Sequence, residues 1–238
     1  LPQTAKALAA AAAEGMNFSA KEDPVAWILT ALEPEARRAL CRSAVFEVAV
    51  SPAGLAAVAG ADEMAAKGYA RRWQALSLAY LRDGLLFVPN PVRSALLSSL
   101  GPEELNAVHR AAGGFLRELA AAGRSAEIGL SRLDVLLEAR GHLLAGRDGR
   151  GAAEVTDSIS GYLLRRGYRA ELIRLNQELL ASLQEMGQEE PEIAAGAAGR
   201  VAALRSGGVP ERPHLLRAGR AAGPGRAPGR RRRHARRS

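Results

Sequence analysis

The 238-residue sequence is short of cysteine, aromatics and lysine: one Cys, ten Phe, Tyr and Trp together, and three lysines against thirty arginines. Each scarcity excludes something. Cys41 alone cannot close a disulfide within the chain, which fits a reducing compartment. The apolar residues are mainly Ala and Leu, which favour helices, while strands draw on β-branched and aromatic residues. No internal segment reads as strand-rich. No apolar run reaches the ~20 residues of a membrane-spanning helix, so no membrane contact is expected. The opening LPQTAKALAAAAAEG is weakly charged and Ala-rich where a secretory signal needs a basic start and a Leu-rich middle. The expected location is cytoplasmic. The first residue is Leu1, not Met, as expected of an internal piece of a longer polypeptide.

The formal net charge of +8 is unevenly spread. Residues 207–238 hold ten Arg and one Glu, or +9, which leaves −1 for residues 1–206. A neutral body argues against nucleic-acid binding by the folded part, because neutralising phosphates needs clustered cations. The tail is Arg, Gly, Pro and Ala without apolar periodicity; it cannot bury a core and is predicted to be disordered. The arginine bias points to a GC-rich coding sequence, in which a truncated or frame-shifted end would look the same.

What is present is a set of punctuated helices. EPEARRAL, SPAGLAAV, NPVRSALL, GPEELNAV and EPEIAAGA each place Pro just inside an apolar-periodic run. The first helical turn tolerates Pro because its missing N–H has no intrahelical partner there. Helices are therefore predicted to start near Pro34, Pro52, Pro91, Pro102 and Pro191. Ser51 and Asn90 are suited to N-caps, and Glu103 and Glu104 to a first turn. Apolar stripes of 3.6-residue period follow. They are Val92, Leu96, Leu97 and Leu100; Leu105, Val108, Ala112, Phe115, Leu116 and Leu119; Leu133, Leu136, Leu137 and Leu144; Val155, Ile159, Tyr162 and Leu163; and Leu172, Leu175, Leu179, Leu180 and Leu183. Gly123, Gly146 to Gly151, Gly167 and Gly187 separate them, and such short breaks imply antiparallel neighbours.

Met64 to Arg82 reads as one long helix with Trp73, Leu76, Tyr80 and Leu81 facing inward. Asp83-Gly84 turns the chain out of it, Leu85 to Val88 is a short buried strand or wing, and Pro89-Asn90-Pro91 launches the next helix. Three helices, a short strand and a helix give the order of a winged-helix unit.

These residues resemble the winged-helix segment of bacterial STAND-type (NB-ARC-like) signalling ATPases. The resemblance is carried by Ala44-Val45-Phe46 closing a Leu-rich helix, by the Gly84-Leu85-Leu86 strand, and by Asn90-Pro91-Val92-Arg93. At that last place the family has His-Pro-Leu-Val-Arg; the histidine is absent and the segment is about one residue shorter. VHRAAGGFLREL is similar to the family's linking helix, and residues 133–183 resemble degenerate tetratricopeptide-like helical pairs. The distance from Gly146 to Gly167 falls well short of the usual 34-residue period, which predicts an irregular solenoid.

The fold class expected is all-α in the main: a winged-helix-like unit, an irregular TPR-like helical solenoid and a disordered basic C-terminal tail. The expected divisions are an N-terminal helical segment at 1–30, the winged-helix-like domain with its linking helix at 31–125, helical pairs at 126–206, and the tail at 207–238.

No enzymatic chemistry is expected. Lys6, Lys21 and Lys67 each follow Ala and precede neither Ser nor Thr, so the phosphate loop G-x-x-x-x-G-K-[ST] is missing. His109, His142, His214 and His234 read as far apart, and Cys41 lacks partners at ligand spacing, so neither metal nor cofactor is expected. Cys41 reads as a small core residue, His109 and His142 as surface or packing residues, and Glu103-Glu104 and Glu189-Glu190 as helix-start charges. The resemblance implies a non-catalytic protein-interaction or regulatory module of a signalling protein. Its partner would be another protein, or an upstream nucleotide-binding domain of the same polypeptide. The alternative is a DNA-binding regulator. In that reading Lys67, Arg71 and Arg72 line a recognition helix, and Arg230, Arg231, Arg232 and Arg233 hold phosphates.

Overall fold

Prolines and short polar caps set most helix boundaries. The computed structural model describes residues 29–30, 32–187 and 191–208. The segment predicted helical at 1–30 falls almost wholly outside the described residues, as do Glu189, Glu190 and the tail beyond 208.

The described chain is mainly helical. Helix α1 spans Pro34–Ser43, α2 Pro52–Ala59 and α3 Glu63–Ala75. Strands β1 (Tyr80–Arg82) and β2 (Leu85–Phe87) follow, then α4 (Asn90–Leu97) and α5 (Pro102–Ala121). A 3-10 turn at Ser125–Ile128 leads to α6 (Arg132–Ala145), α7 (Gly149–Arg165), α8 (Arg169–Met186) and α9 (Pro191–Arg205). All five proline-marked starts are present. The Ser51, Asp62, Ser131 and Asp148 side chains accept hydrogen bonds from backbone N–H groups in the first turns of α2, α3, α6 and α7. Asn90 is not a cap: it is the first residue of α4, and Pro89 precedes it with no side chain to offer.

The predicted helix from Met64 to Arg82 is corrected. It stops at Ala75, Ser77 takes φ 57°, and the chain re-enters as β1. Trp73 and Leu76 are buried as predicted, but Tyr80 is 38% exposed. Composition favoured a helix here; pairing with Leu85–Phe87 across the next turn overrides it. Asp83 and Gly84 both have positive φ (54° and 79°), the geometry that lets a two-residue turn match the twist of a hairpin. Leu81 then sits opposite Leu86, and Leu86 exchanges both backbone hydrogen bonds with Val50, at 2.8 and 2.9 Å. The strand expected at Leu85–Val88 is thus the second arm of a hairpin.

Helices α1, α2 and α3 pack on one another, α4 packs on α1, and α2 packs on α5. From α5 onward each helix packs on the next, through α9. One continuous buried apolar cluster runs from Leu32 to Leu204. The stripes are right in kind and shifted in detail. In α6 the buried positions are Val135, Leu136, Ala139 and Leu143, with Leu133, Leu137 and Leu144 half-buried beside them. Tyr162 of α7, read as part of a stripe, lies 40% exposed under the Arg166 guanidinium.

The turns repeat. Left-handed residues close successive helices at Gly123, Arg147, Gly167, Gly187 and Gly207. Turns at the same end of the stack therefore recur about 40 residues apart, not 34. Gly146 to Gly167 spans a single helix, half a repeat, which is why that spacing looked too short. Arginines reach across to the helix ends. Arg42 Nη1 donates to the Ala59 carbonyl, Arg110 Nη1 to Gly146, Arg147 Nη2 to Met186 and Arg169 Nη1 to Leu204. Each supplies a cation and a donor where a helix leaves its last carbonyls unpaired.

Helices α5 and α6 meet through small residues. A Cβ on Gly113 would stand 2.7 Å from Leu143 Cγ and 3.0 Å from the Ala139 carbonyl oxygen. Gly113→Val is expected to lower stability by about 1–3 kcal/mol through overpacking. Gly114→Ala, one residue on and open on all sides, is expected to be neutral or stabilising. Urea denaturation of both variants checks this, and equal losses would contradict the close approach.

Candidate functional site

Three groups of polar side chains stand out, and the first is the surface predicted to meet DNA. Lys67, Arg71 and Arg72 are exposed on α3, whose inner face buries Ala66, Ala70 and Trp73. Lys67 is held 3.0 Å from Glu63 one turn earlier. On the adjoining hairpin, Tyr80 and Phe87 lie opposite each other, both partly exposed. Arg82 lies 3.7 Å from Asp83. The surface thus carries cations interleaved with carboxylates, a weak field for a polyanion. Arg230, Arg231, Arg232 and Arg233 lie outside the described residues.

The second group is at the junction of the hairpin-bearing unit with the helical stack. The stripe of α5 that buries Val108 and Ala112 sets His109 beside it, and the stripe of α6 puts His142 among its buried residues. The two imidazoles, read from sequence as far apart, face each other with Nδ1 atoms 2.9 Å apart. This is a correction to the sequence reading; the helices bring together residues 33 positions apart. Phe46, from the turn after α1, packs edge-on against His142 at 5.6 Å and against Phe115 at 6.5 Å. Beside it, Arg93 Nη2 contacts Glu47 Oε1 at 2.6 Å, and Arg93 Nη1 donates to the Phe46 carbonyl at 3.5 Å.

His142 is buried, and its Nε2 has no hydrogen-bond partner. A buried orphan lone pair is tolerated better than a buried orphan N–H. That places the hydrogen of His142 on Nδ1, donating to His109 Nδ1. Burial pushes His142 down to about 4, helped by neighbouring His109 and by Arg93 and opposed by Glu47. Burial also lowers His109, against the pull of Glu47. Glu138, on the same helix as His142, is raised by burial and by the Glu47 and Asp134 carboxylates. Both imidazoles are therefore neutral at pH 7. On the other side of the junction, Glu104 receives hydrogen bonds from Arg38 and Arg42, both at 2.9 Å, and these hold its carboxyl below the ordinary range. Glu104 does more than charge a helix start, because it ties α5 to α1.

The third group lies inside the stack, where two buried arginines each join three helices. Arg140 of α6 donates to Thr156 of α7 at 3.0 Å, to the Leu175 carbonyl of α8, and to Glu178 at 3.1 Å. Arg200 of α9 donates to Asn176 of α8 at 2.8 Å and stands 3.1 Å from Asp157 of α7. The Asp157 contact is an ion pair without hydrogen-bond alignment. Sequence reading passed over both arginines. The available signal was position: Arg140 falls one turn after Leu136, and Arg200 falls between Ala197 and Leu204 on the buried face.

Among the described residues no three His, Cys, Asp or Glu side chains converge as metal ligands. Cys41 is buried and its sulfur accepts a hydrogen bond from Ser99 Oγ at 3.3 Å. Among the described residues no helix is long and apolar enough to cross a membrane. No protein-family model matches the chain, and no curated protein or solved structure matches it.

Arg200→Met is expected to cost about 3 kcal/mol at pH 7 by leaving the Asp157 carboxylate buried without its cation. Burial already raises Asp157 above its ordinary value, and Arg200 opposes that rise. Removing Arg200 raises it further, so the penalty exists only where the unfolded carboxyl is ionised. The loss should be absent near pH 4, grow as pH rises through the raised carboxyl range, and be largest above it. Chemical denaturation at several pH values checks this, with Arg200→Met/Asp157→Asn expected to recover part of the loss at pH 7.

Proposed function

We propose that the chain is a non-catalytic interaction and regulatory module of the STAND signalling type. In this reading residues 31–125 act as a winged-helix-like relay and the helices beyond as a TPR-like docking stack. The supporting observation is the order of elements around α5. A helix, a bridging residue at Val50, two helices and a hairpin lead through α4 into α5, which packs on α2 and on α6. The hairpin-bearing unit would pack against a nucleotide-binding domain, and the stack would present successive helix faces to a protein partner. The work is done by burying helix surface, without bond-making. The compartment proposed is the cytoplasm.

The second reading is a DNA-binding regulator using α3 and the Arg tail. Exposure of Arg71 and Arg72 on the outer face of α3 favours it. The neutral body and the Glu63–Lys67 pair weigh against it.

Two measurements separate the readings. The purified chain is expected to turn over no ATP above background; turnover abolished by a substitution within the chain would overturn the first reading. In a salt titration of duplex binding, deleting residues 207–238 is expected to remove the affinity, and Arg71→Ala or Arg72→Ala to leave it unchanged. The reverse pattern would favour the DNA reader.

A further inference from the structure

We propose that the His109–His142 pair is an acid-sensitive latch joining the hairpin-bearing unit to the helical stack: it holds with at most one added proton and opens when both imidazoles are protonated. The 2.9 Å between the two Nδ1 atoms requires one lone pair and one N–H between them. In the neutral pair His142 donates. One proton on His109 keeps the hydrogen bond at a cost, because His142 must shift its hydrogen to the partnerless Nε2 and accept instead. Two protons cannot: both Nδ1 atoms then carry N–H, and two cations face each other in a site largely closed to water.

The groups around the pair do not relieve this. Glu47, from the α1–α2 connection, is the carboxylate that draws charge toward both rings, but it is already engaged by Arg93 of α4. Glu138 of α6, whose carboxyl is raised by burial, loses its charge earlier than an ordinary glutamate as pH falls. Phe46 rests its ring on His142, so separating the imidazoles also disturbs the contact between the two halves. Burial holds His142 of the closed junction down at about 4 and lowers His109 from its ordinary value, while an open, solvated pair returns toward about 6.5. Opening is therefore favoured as pH falls from about 6.5 toward 4, by up to about tenfold per pH unit for each histidine.

Hydrogen exchange on the full chain at pH 7.5 and 5.0, corrected for intrinsic rates, tests this. Amides of residues 43–50 and 138–146 are expected to lose at least tenfold protection at the lower pH, while those of α8 keep theirs. His109→Gln leaves a polar partner for His142 that cannot be protonated, and it should cut the selective loss several-fold, leaving only the share linked to His142. His142→Leu should do the same if it folds; His109→Gln decides if it does not. Uniform loss through α8, or selective loss undiminished in His109→Gln, overturns the latch. So does a proton titration in which both histidines of the folded chain titrate near 6.5.

Discussion

The rest of the structure depends on α5 being buried on two sides at once. The helix is about 30 Å long at 1.5 Å per residue over its twenty residues. One side meets α2 and, through Glu104, α1; another meets α6. Val108, Leu116 and Leu119 are fully buried, each contributing roughly 1.5–3 kcal/mol relative to exposure. Large side chains on every face would hold the neighbours too far apart. The run Ala111-Ala112-Gly113-Gly114 instead lets α6 approach until Leu143 fills the space where a Cβ would be. Helix α5 cannot rotate to improve one contact without losing the other, so the relation of the two halves is fixed by one helix.

Burial dominates the energetics and the arginines select the arrangement. A cation at a helix C-terminus contributes about 0.3–1 kcal/mol at an exposed site, less than one buried leucine. Yet apolar faces slide past one another at little cost, whereas a guanidinium aimed at Gly146, Met186 or Leu204 fits one register only. Arg140 and Arg200 do the same within the stack, at a desolvation cost that lowers both guanidinium groups below the usual value. An apolar replacement of matched volume often equals or exceeds such a buried pair in stability. What these arginines secure is the order in which α6 to α9 stack.

The sequence was legible where the signal is local. Proline at a first turn, Ser51 as a cap, and leucines at a 3.6-residue period all act within one helix, and the helices start where they indicate. It was misleading where a distant partner decides. Tyr80–Arg82 has a helix-forming composition and becomes a strand because Leu85–Phe87 folds back on it, with the distant Val50 pairing to Leu86 on the other side. The Asp83-Gly84 dipeptide was the clue, since it signals a hairpin more strongly than the end of a helix. The histidine pair was illegible for the same reason: nothing at position 109 announces position 142 until α5 and α6 lie side by side.

The joint around α5 differs in degree from the stack beyond it. Inside the stack, buried leucine, valine and alanine carry most of the contact, joined by the buried Arg140, Thr156, Asn176 and Arg200. Around α5 the polar contacts are more exposed: Glu104 with Arg38 and Arg42 ties α5 to α1, Arg93 of α4 holds Glu47, and Phe46 rests against His142 beside them. Arg38 and Glu47 are both well exposed, so those pairs are weak and screened by salt within about 10 Å. The apolar cluster runs on unbroken beneath these polar contacts, so salt or protonation loosens the joint locally before it disturbs the leucine, valine and alanine packing.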